Sequence, residues 1–203
     1  MLTNGATGKI DFNADIGESF AGYELGLDSE IVKYITSANI ATGFHAGDPD
    51  WMAKTVALAV DNSVGIGAHP AYPDLAGFGR RNMDLTPAEV HNAVTYQVGA
   101  LAAFAPNRKL QHVKPHGALY NTAVRDAGVA EAIVLAVKAF DPNLIHVVLA
   151  GSQWEQIARS HGVRVARECY ADRAVTAEGT LVPRSQPGAV VHDPDEVVAR
   201  SLK

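Results

Sequence analysis

The stretch Gln111–Ala118 reads QHVKPHGA. As a strand it puts His112, Lys114 and His116 on one face and Val113 and Pro115 on the other. Three ionisable side chains on one face make a poor core and the beginnings of a site. Two earlier stretches, ANIATGFHAG and VGIGAHP, also end on a histidine, His45 and His69. Imidazoles suit proton transfer or metal ligation, and the tips of successive strands converge in space. Lys114, beside carboxylates, stays charged and can clamp an oxyanion. The carboxylates come from KIDFNADIGE, where alternation places Asp11, Asn13 and Asp15 on one face. Paired carboxylates divide acid and base roles or hold a cation. The compact HExxH metal spacing is absent, which favours acid–base or binding roles. The alternative is a divalent ion on Asp15, His45 and His69.

Further polar groups follow the same logic. Arg80 and Arg81, in the long loop Ala71–Leu85, can grip a carboxylate or phosphate in bidentate fashion or remain a solvated pair. Glu168, Asp172 and Arg173 stand at a sixth tip, and His112 reads as a buried neighbour of the site. There is no GxxxxGK[ST] phosphate loop, no strand-linked GxGxxG and no GxSxG elbow.

The elements needed to carry these tips can be read in order. Strands are expected over Lys9–Glu18, Ala38–Gly47, Val64–Pro70, Gln111–Ala118, Leu144–Ala150 and Val163–Cys169. The Gly and Ala beside His45 and His69 predict open space beneath those rings. Helices are expected at Ser29–Ile35 capped by Asp28, at Asp50–Asn62 behind Asp48-Pro49, and from the Thr86/Glu89 capping box to Ala105. Others follow over Ala118–Val124, Gly128–Phe140, from Ser152 to His161, and from Asp193-Pro194 onwards. Gly179–Arg184 reads as a hairpin arm or a loop. Strands alternating with helices argue an α/β fold with a parallel sheet, and inward Asp, Asn, His and Lys argue a barrel with a polar interior. Residues 1–203 read as one domain, with a flexible lead-in over 1–8.

Composition narrows the class. The chain has 203 residues, 47% hydrophobic and 19% charged, with a net charge of −5. That balance argues against nucleic acid or an anionic membrane as partner. The single cysteine, Cys169, excludes an internal disulfide. No apolar run approaches the ~20 residues of a membrane span, and no signal pattern opens the chain, so a cytoplasmic location is expected.

The blocks DFNADIGESF, SANIATGFHAGDP, IGAHPAYPDLAGFGRR, HVKPHGALYN and ECYADR with LVPR, in this order, resemble the LamB/YcsF family. The resemblance runs from Asp11 to about Arg184. It implies a (β/α) barrel variant of the glycoside hydrolase/deacetylase type. It also implies ATP-dependent opening of 5-oxoproline to L-glutamate as the A subunit of 5-oxoprolinase, with subunits B and C as partners. ATP with Mg2+ is expected to bind through those partners, with no tightly bound metal here; self-association is left open. The family's motifs fall on Asp11, Asn13, Asp15, Glu18, His45, His69, Arg80, Lys114, His116, Glu168, Asp172 and Arg173. Of these we assign Asp15, His45, His69, Lys114 and His116 to catalysis and the others to substrate binding. Thr42 replaces a usual Cys and Ala71 a usual Gly. The family normally continues into a CVHGD motif absent from this sequence, so the barrel is expected to be incomplete at its C-terminal side. Rival readings are a metal-dependent amide or N-acetyl hydrolase and a non-catalytic subunit that presents substrate.

Overall fold

The computed structural model describes residues 10–176 and 179–202; the expected lead-in over 1–8 lies outside them. Six parallel strands pair strictly in sequence order: β1 (Asn13–Ile16), β2 (Ser37–Ala41), β3 (Gly65–His69), β4 (His112–Val113), β5 (Ile145–Leu149) and β6 (Arg164–Glu168). The sheet curls into a half-barrel with helices on its outer side. The helices are α1 (Asp28–Ile31), α2 (Pro49–Asp61), α3 (Pro87–Phe104), α4 (Gly117–Arg125), α5 (Ala127–Phe140), α6 (Gln153–Ser160) and α7 (Pro194–Ser201).

Alternation along the strands separates two environments. Ile16, Ile40, Ala68, Val113 and Val148 face outward and are buried against Val56, Val94, Leu101, Ile133, Val137 and Trp154 of the helical layer. Each of the larger side chains withdrawn from water contributes about 1.5–3 kcal/mol, so the core lies between sheet and helices. The inner face is polar on β1 to β4, and the register sets Asp15 beside Asn39, Asn39 beside Gly67 and Gly67 beside His112.

Local chemistry fixes the helix starts. Asp48 accepts from the Trp51 amide at 2.9 Å ahead of Pro49. Thr86 and Glu89 form the complete capping box of α3. The helix expected over Ser29–Ile35 shortens to α1, which includes Asp28; the Asp28 carboxylate, expected as its cap, instead accepts from the Gly17 amide at 2.8 Å. β4 pairs over only two residues before Pro115 ends the ladder.

The open space expected under the histidine-bearing faces is present at Gly43, where a Cβ would meet nothing within 4 Å, and is filled on β3. A Cβ on Gly67 would lie 2.1 Å from the His112 ring, and one on Gly65 would lie 2.3 Å from Gln111. These glycines admit β4 side chains rather than a ligand. His45 and His116 also lie beyond regular strand. The chain turns after Ala41, with Gly43 N–H donating to the Ala46 carbonyl at 2.8 Å, while His116 caps α4.

Candidate active site

The site begins on the inner row. Asn39, fully buried on β2, donates from Nδ2 to Asn13 Oδ1 (2.7 Å) and Asp15 Oδ1 (2.9 Å), and accepts from His112 Nε2 at 2.8 Å. Burial holds His112 neutral, with its pKa down at about 4, so Nε2 carries the proton it shares with Asn39. Lys114 continues beyond His112. The residue is 4% exposed, and its ammonium lies 3.1 Å from Asn13 Oδ1, 3.2 Å from Asp15 Oδ1 and 2.7 Å from Glu168 Oε1. Burial opposes that charge, but Asp15 and Glu168 outweigh it and raise the pKa above the usual lysine value. Lys114 is therefore a fixed cation, not a base.

The histidines form a second layer whose tautomers follow from carbonyl partners. His69 Nδ1 lies 2.6 Å from the Lys114 carbonyl, and His116 Nε2 lies 2.9 Å from the Phe78 carbonyl. Carbonyls only accept, so both nitrogens carry protons. His116 is neutral, held at about 3 first by burial and then by the neighbouring His69 charge. Its Nδ1 lone pair therefore accepts from His69 Nε2 at 3.0 Å. His69 Nε2 also faces Asp15 Oδ2 at 3.3 Å. Burial opposes protonation of His69, but Asp15 overrides it and raises the pKa. The reciprocal effect holds for Asp15: burial pushes its carboxyl up, while His69 and Lys114 pull it well below its ordinary range. The result is an imidazolium–carboxylate pair beside a fixed ammonium.

Glu18 closes the cluster, 3.1 Å from His45 Nε2 and 3.5 Å from His116 Nδ1. Its pKa is raised, chiefly by burial. His45, wholly buried, stacks on His116 with centroids 3.9 Å apart and planes 5° from parallel. Gly117 shapes this corner, since its φ is +54° and a Cβ would meet the Gly79 carbonyl oxygen at 2.6 Å.

Above the cluster lies a cavity of about 360 Å³. Asp15, His69, Lys114 and His116 line it, with Arg80 from the long loop, one stripe of α4 and the arm Thr180–Arg184. The arm is a roof. Arg173, 8% exposed, donates to the carbonyls of Ala189 (3.2 Å) and Val182 (2.7 Å) and holds it down.

Among the expected substrate binders, Arg80 and Arg173 both line the cavity with no ion-pair partner among the described residues, but only Arg173 is engaged by backbone carbonyls, which leaves Arg80 for a ligand. Asn13 is engaged by Asn39 and Lys114. Glu168 is engaged by Lys114 and by the Tyr170 hydroxyl at 2.8 Å. Arg173 binds backbone. Asp11 sits at the opposite end of β1, where it accepts from Thr36 and Ser37 at 2.7 Å each, and Asp172 does not line the cavity. Alternation assigns a face but not a height, hence the misplacement of Asp11. Arg81 turns away to pair with Asp74. Sequence reasoning missed Asn39, Arg125 and Arg184. Only Asn39 carried a signal, a polar residue on the inner parity of an otherwise apolar strand.

Four of these side chains are of metal-ligating type. Glu18, His45, His69 and His116 bring one ligand atom each within 4.8 Å of one another. A ligated ion lies in the plane of the imidazole, about 2.0–2.1 Å from nitrogen. The parallel stacking of His45 on His116 keeps one ion from both planes, so the four do not close on a single ion in this arrangement. In the alternative set, Asp15 meets His69, whereas His45 meets Glu18.

Comparison with known proteins agrees with this architecture. The chain is 58% identical over 196 residues to the 5-oxoprolinase A subunit of Pyrococcus furiosus, covering 96% of this chain and 77% of that one. It is 57% identical over 197 residues to the protein of the same name from Alkaliphilus metalliredigens, with 96% and 77% covered. The crystal structure of a lactam utilization protein from Thermus thermophilus superposes with a TM-score of 0.90 at 51% identity, covering 96% of this chain and 79% of that one. The model of the LamB/YcsF family matches residues 10–203, and the chain belongs to that family.

Proposed function

We propose that this chain is the lactam-opening A subunit of a 5-oxoprolinase, converting 5-oxo-L-proline to L-glutamate. The carrying observation is the cavity floor, where a buried ammonium and an imidazolium–carboxylate pair face one space. The kinship with proteins named for this activity supports the reading.

Arg80 takes the substrate carboxylate as a bidentate fork. Lys114 stabilises the oxyanion that forms when water adds to the lactam carbonyl. Asp15 receives the water's proton while His69 delivers its own to the departing ring nitrogen. The proton on Asp15 then crosses the 3.3 Å to His69, which restores both groups. His116 and His45 hold His69 in position, and Glu18 buffers the layer beneath.

A lactam amide is resonance-stabilised, and its opening here is coupled to ATP. ATP, with Mg2+, activates the lactam by phosphoryl transfer on partner subunits B and C in this reading, with residues 1–203 acting as one cytoplasmic domain. The purified chain with B and C is expected to form glutamate from 5-oxoproline and ATP. A Lys114→Ala complex that turned over at the full rate would overturn the role of Lys114. The rival is a metal-dependent amide hydrolase, for which the four donors within 4.8 Å would first have to turn out of the His45–His116 stack. Stoichiometric metal together with chelator-sensitive turnover is the result that would establish it.

A further inference from the structure

The proposed reaction needs one arginine for one carboxylate, yet Arg80, Arg125, Arg173 and Arg184 all line the cavity. Arg173 is spent on backbone carbonyls. Arg125, in the last turn of α4, and Arg184, on the roof, remain. Neither has an acidic partner among the described residues. Arg173 and Arg184 are also close enough for burial and then mutual repulsion to depress the ionisation of Arg173. Arg125 and Arg184 are both exposed, so their guanidiniums stand open to a ligand entering the cavity from solvent.

The place of these arginines is distinct from the catalytic floor. The α4 wall runs Gly117, Tyr120, Asn121, Val124, Arg125. At 1.5 Å per residue, Arg125 lies about 12 Å along the helix from Gly117. One fork satisfies the two oxygens of a carboxylate, whereas two forks match the three terminal oxygens of a phosphoryl group. We infer that Arg125 and Arg184 form a phosphate subsite at the outer end of the cavity. The choice of phosphate over another dianion rests on the proposed ATP-coupled reaction. The phosphate arrives either on an activated lactam or on the nucleotide itself, and in both cases a phosphotransfer step must supply or accompany the substrate.

The test is direct binding to the full chain without partners, by calorimetry with inorganic phosphate and, separately, ADP. Phosphate is expected to bind once per chain, and the double variant Arg125→Gln/Arg184→Gln to weaken it at least tenfold. Arg108→Gln, on the exposed turn after α3, serves as the charge control and should bind as the parent does. The double variant Arg125→Lys/Arg184→Lys guards against misfolding, because it keeps the charge without the fork and should fall between parent and glutamine variant. ADP binding no tighter than phosphate assigns the subsite to a phosphorylated substrate; ADP binding at least tenfold tighter assigns it to nucleotide. Equal phosphate affinity in parent and glutamine variants, or no binding to the parent at millimolar phosphate, overturns the inference. Phosphate binding that depends on Arg125 and Arg184, without glutamate formation in the presence of B and C, instead overturns the proposed function and leaves the subsite standing.

Discussion

Asn39 shows how a neutral side chain sets the charge state of its neighbours. It satisfies His112, Asn13 and Asp15 at once and is wholly buried. Asn39→Ala leaves three groups short of a partner, at a cost of about 1–3 kcal/mol for a buried group left unsatisfied. Chemical denaturation should report that loss. Turnover should also fall, with a displaced pH profile, because Asp15 loses an orienting donor; an unchanged profile would contradict the role. The histidines make a second prediction. His45, His112 and His116 are held at about 2, 4 and 3, in each case mainly by burial. Below their unfolded value of about 6.5 the unfolded chain binds more protons than the folded one, so stability falls as pH falls. Each histidine contributes up to about 1.4 kcal/mol per pH unit. Asp15 adds to this lower down, since its depressed carboxyl stabilises above its unfolded pKa and loses that contribution as pH drops through the folded one. His69 works oppositely: its raised pKa stabilises fully below the unfolded value and ceases to as pH rises through the folded one. The thermal midpoint should drop between pH 6 and pH 4, with proton uptake on unfolding. A midpoint that rose over that interval would refute the assignment of neutral buried imidazoles.

At the scale of elements, the helix caps were legible and the ends of the strands were not. Thr86 with Glu89, Asp48 before Pro49, Ser152 and Asp193 each cap the helix expected of them, because a cap is a local hydrogen bond between near neighbours. Thr86→Ala should cost about 1 kcal/mol, measured by thermal melting. Strand ends depend on pairing with remote residues. Thus β1 and β4 shrank to four and two residues, and His45 and His116 moved off the strands onto turns. Lys114 with Asp15 was legible because strand parity survives such shortening. The fate of Arg173 was not, because the carbonyls it binds, of Val182 in the arm and Ala189 beyond it, are set by the fold of that segment. The β3 glycines inverted expectation, whereas Gly43 keeps the open space. Gly67 adjoins His112 in register, and a Cβ there must displace the ring, so Gly67→Ala should lose about 1–3 kcal/mol through overpacking. A stability matching the parent would mean that the row tolerates a different packing.

Across the whole molecule, the polar interior and the apolar outer layer divide the labour: helices against sheet supply the burial, and the hollow supplies the chemistry. No described helix is long and apolar enough to cross a membrane. Among the described residues β1 and β6 each pair on one side only. An unpaired edge invites pairing with another chain, and Ile10 and Phe12 stand 83% and 56% exposed beside β1. Light scattering should show association that grows with concentration and weakens in Phe12→Lys; a strict monomer at all concentrations would exclude it. One feature of the interior reaches furthest. Lys114 grips β1 through Asn13 and Asp15 and β6 through Glu168, and these are the two outermost strands. Its ammonium is thus a tie-rod across the mouth of the half-barrel, drawing both margins toward the middle. Curvature and reactivity hang on one atom, so a variant made to silence the chemistry also slackens the vessel that holds it. Amide exchange at the β1 and β6 margins would register that slackening.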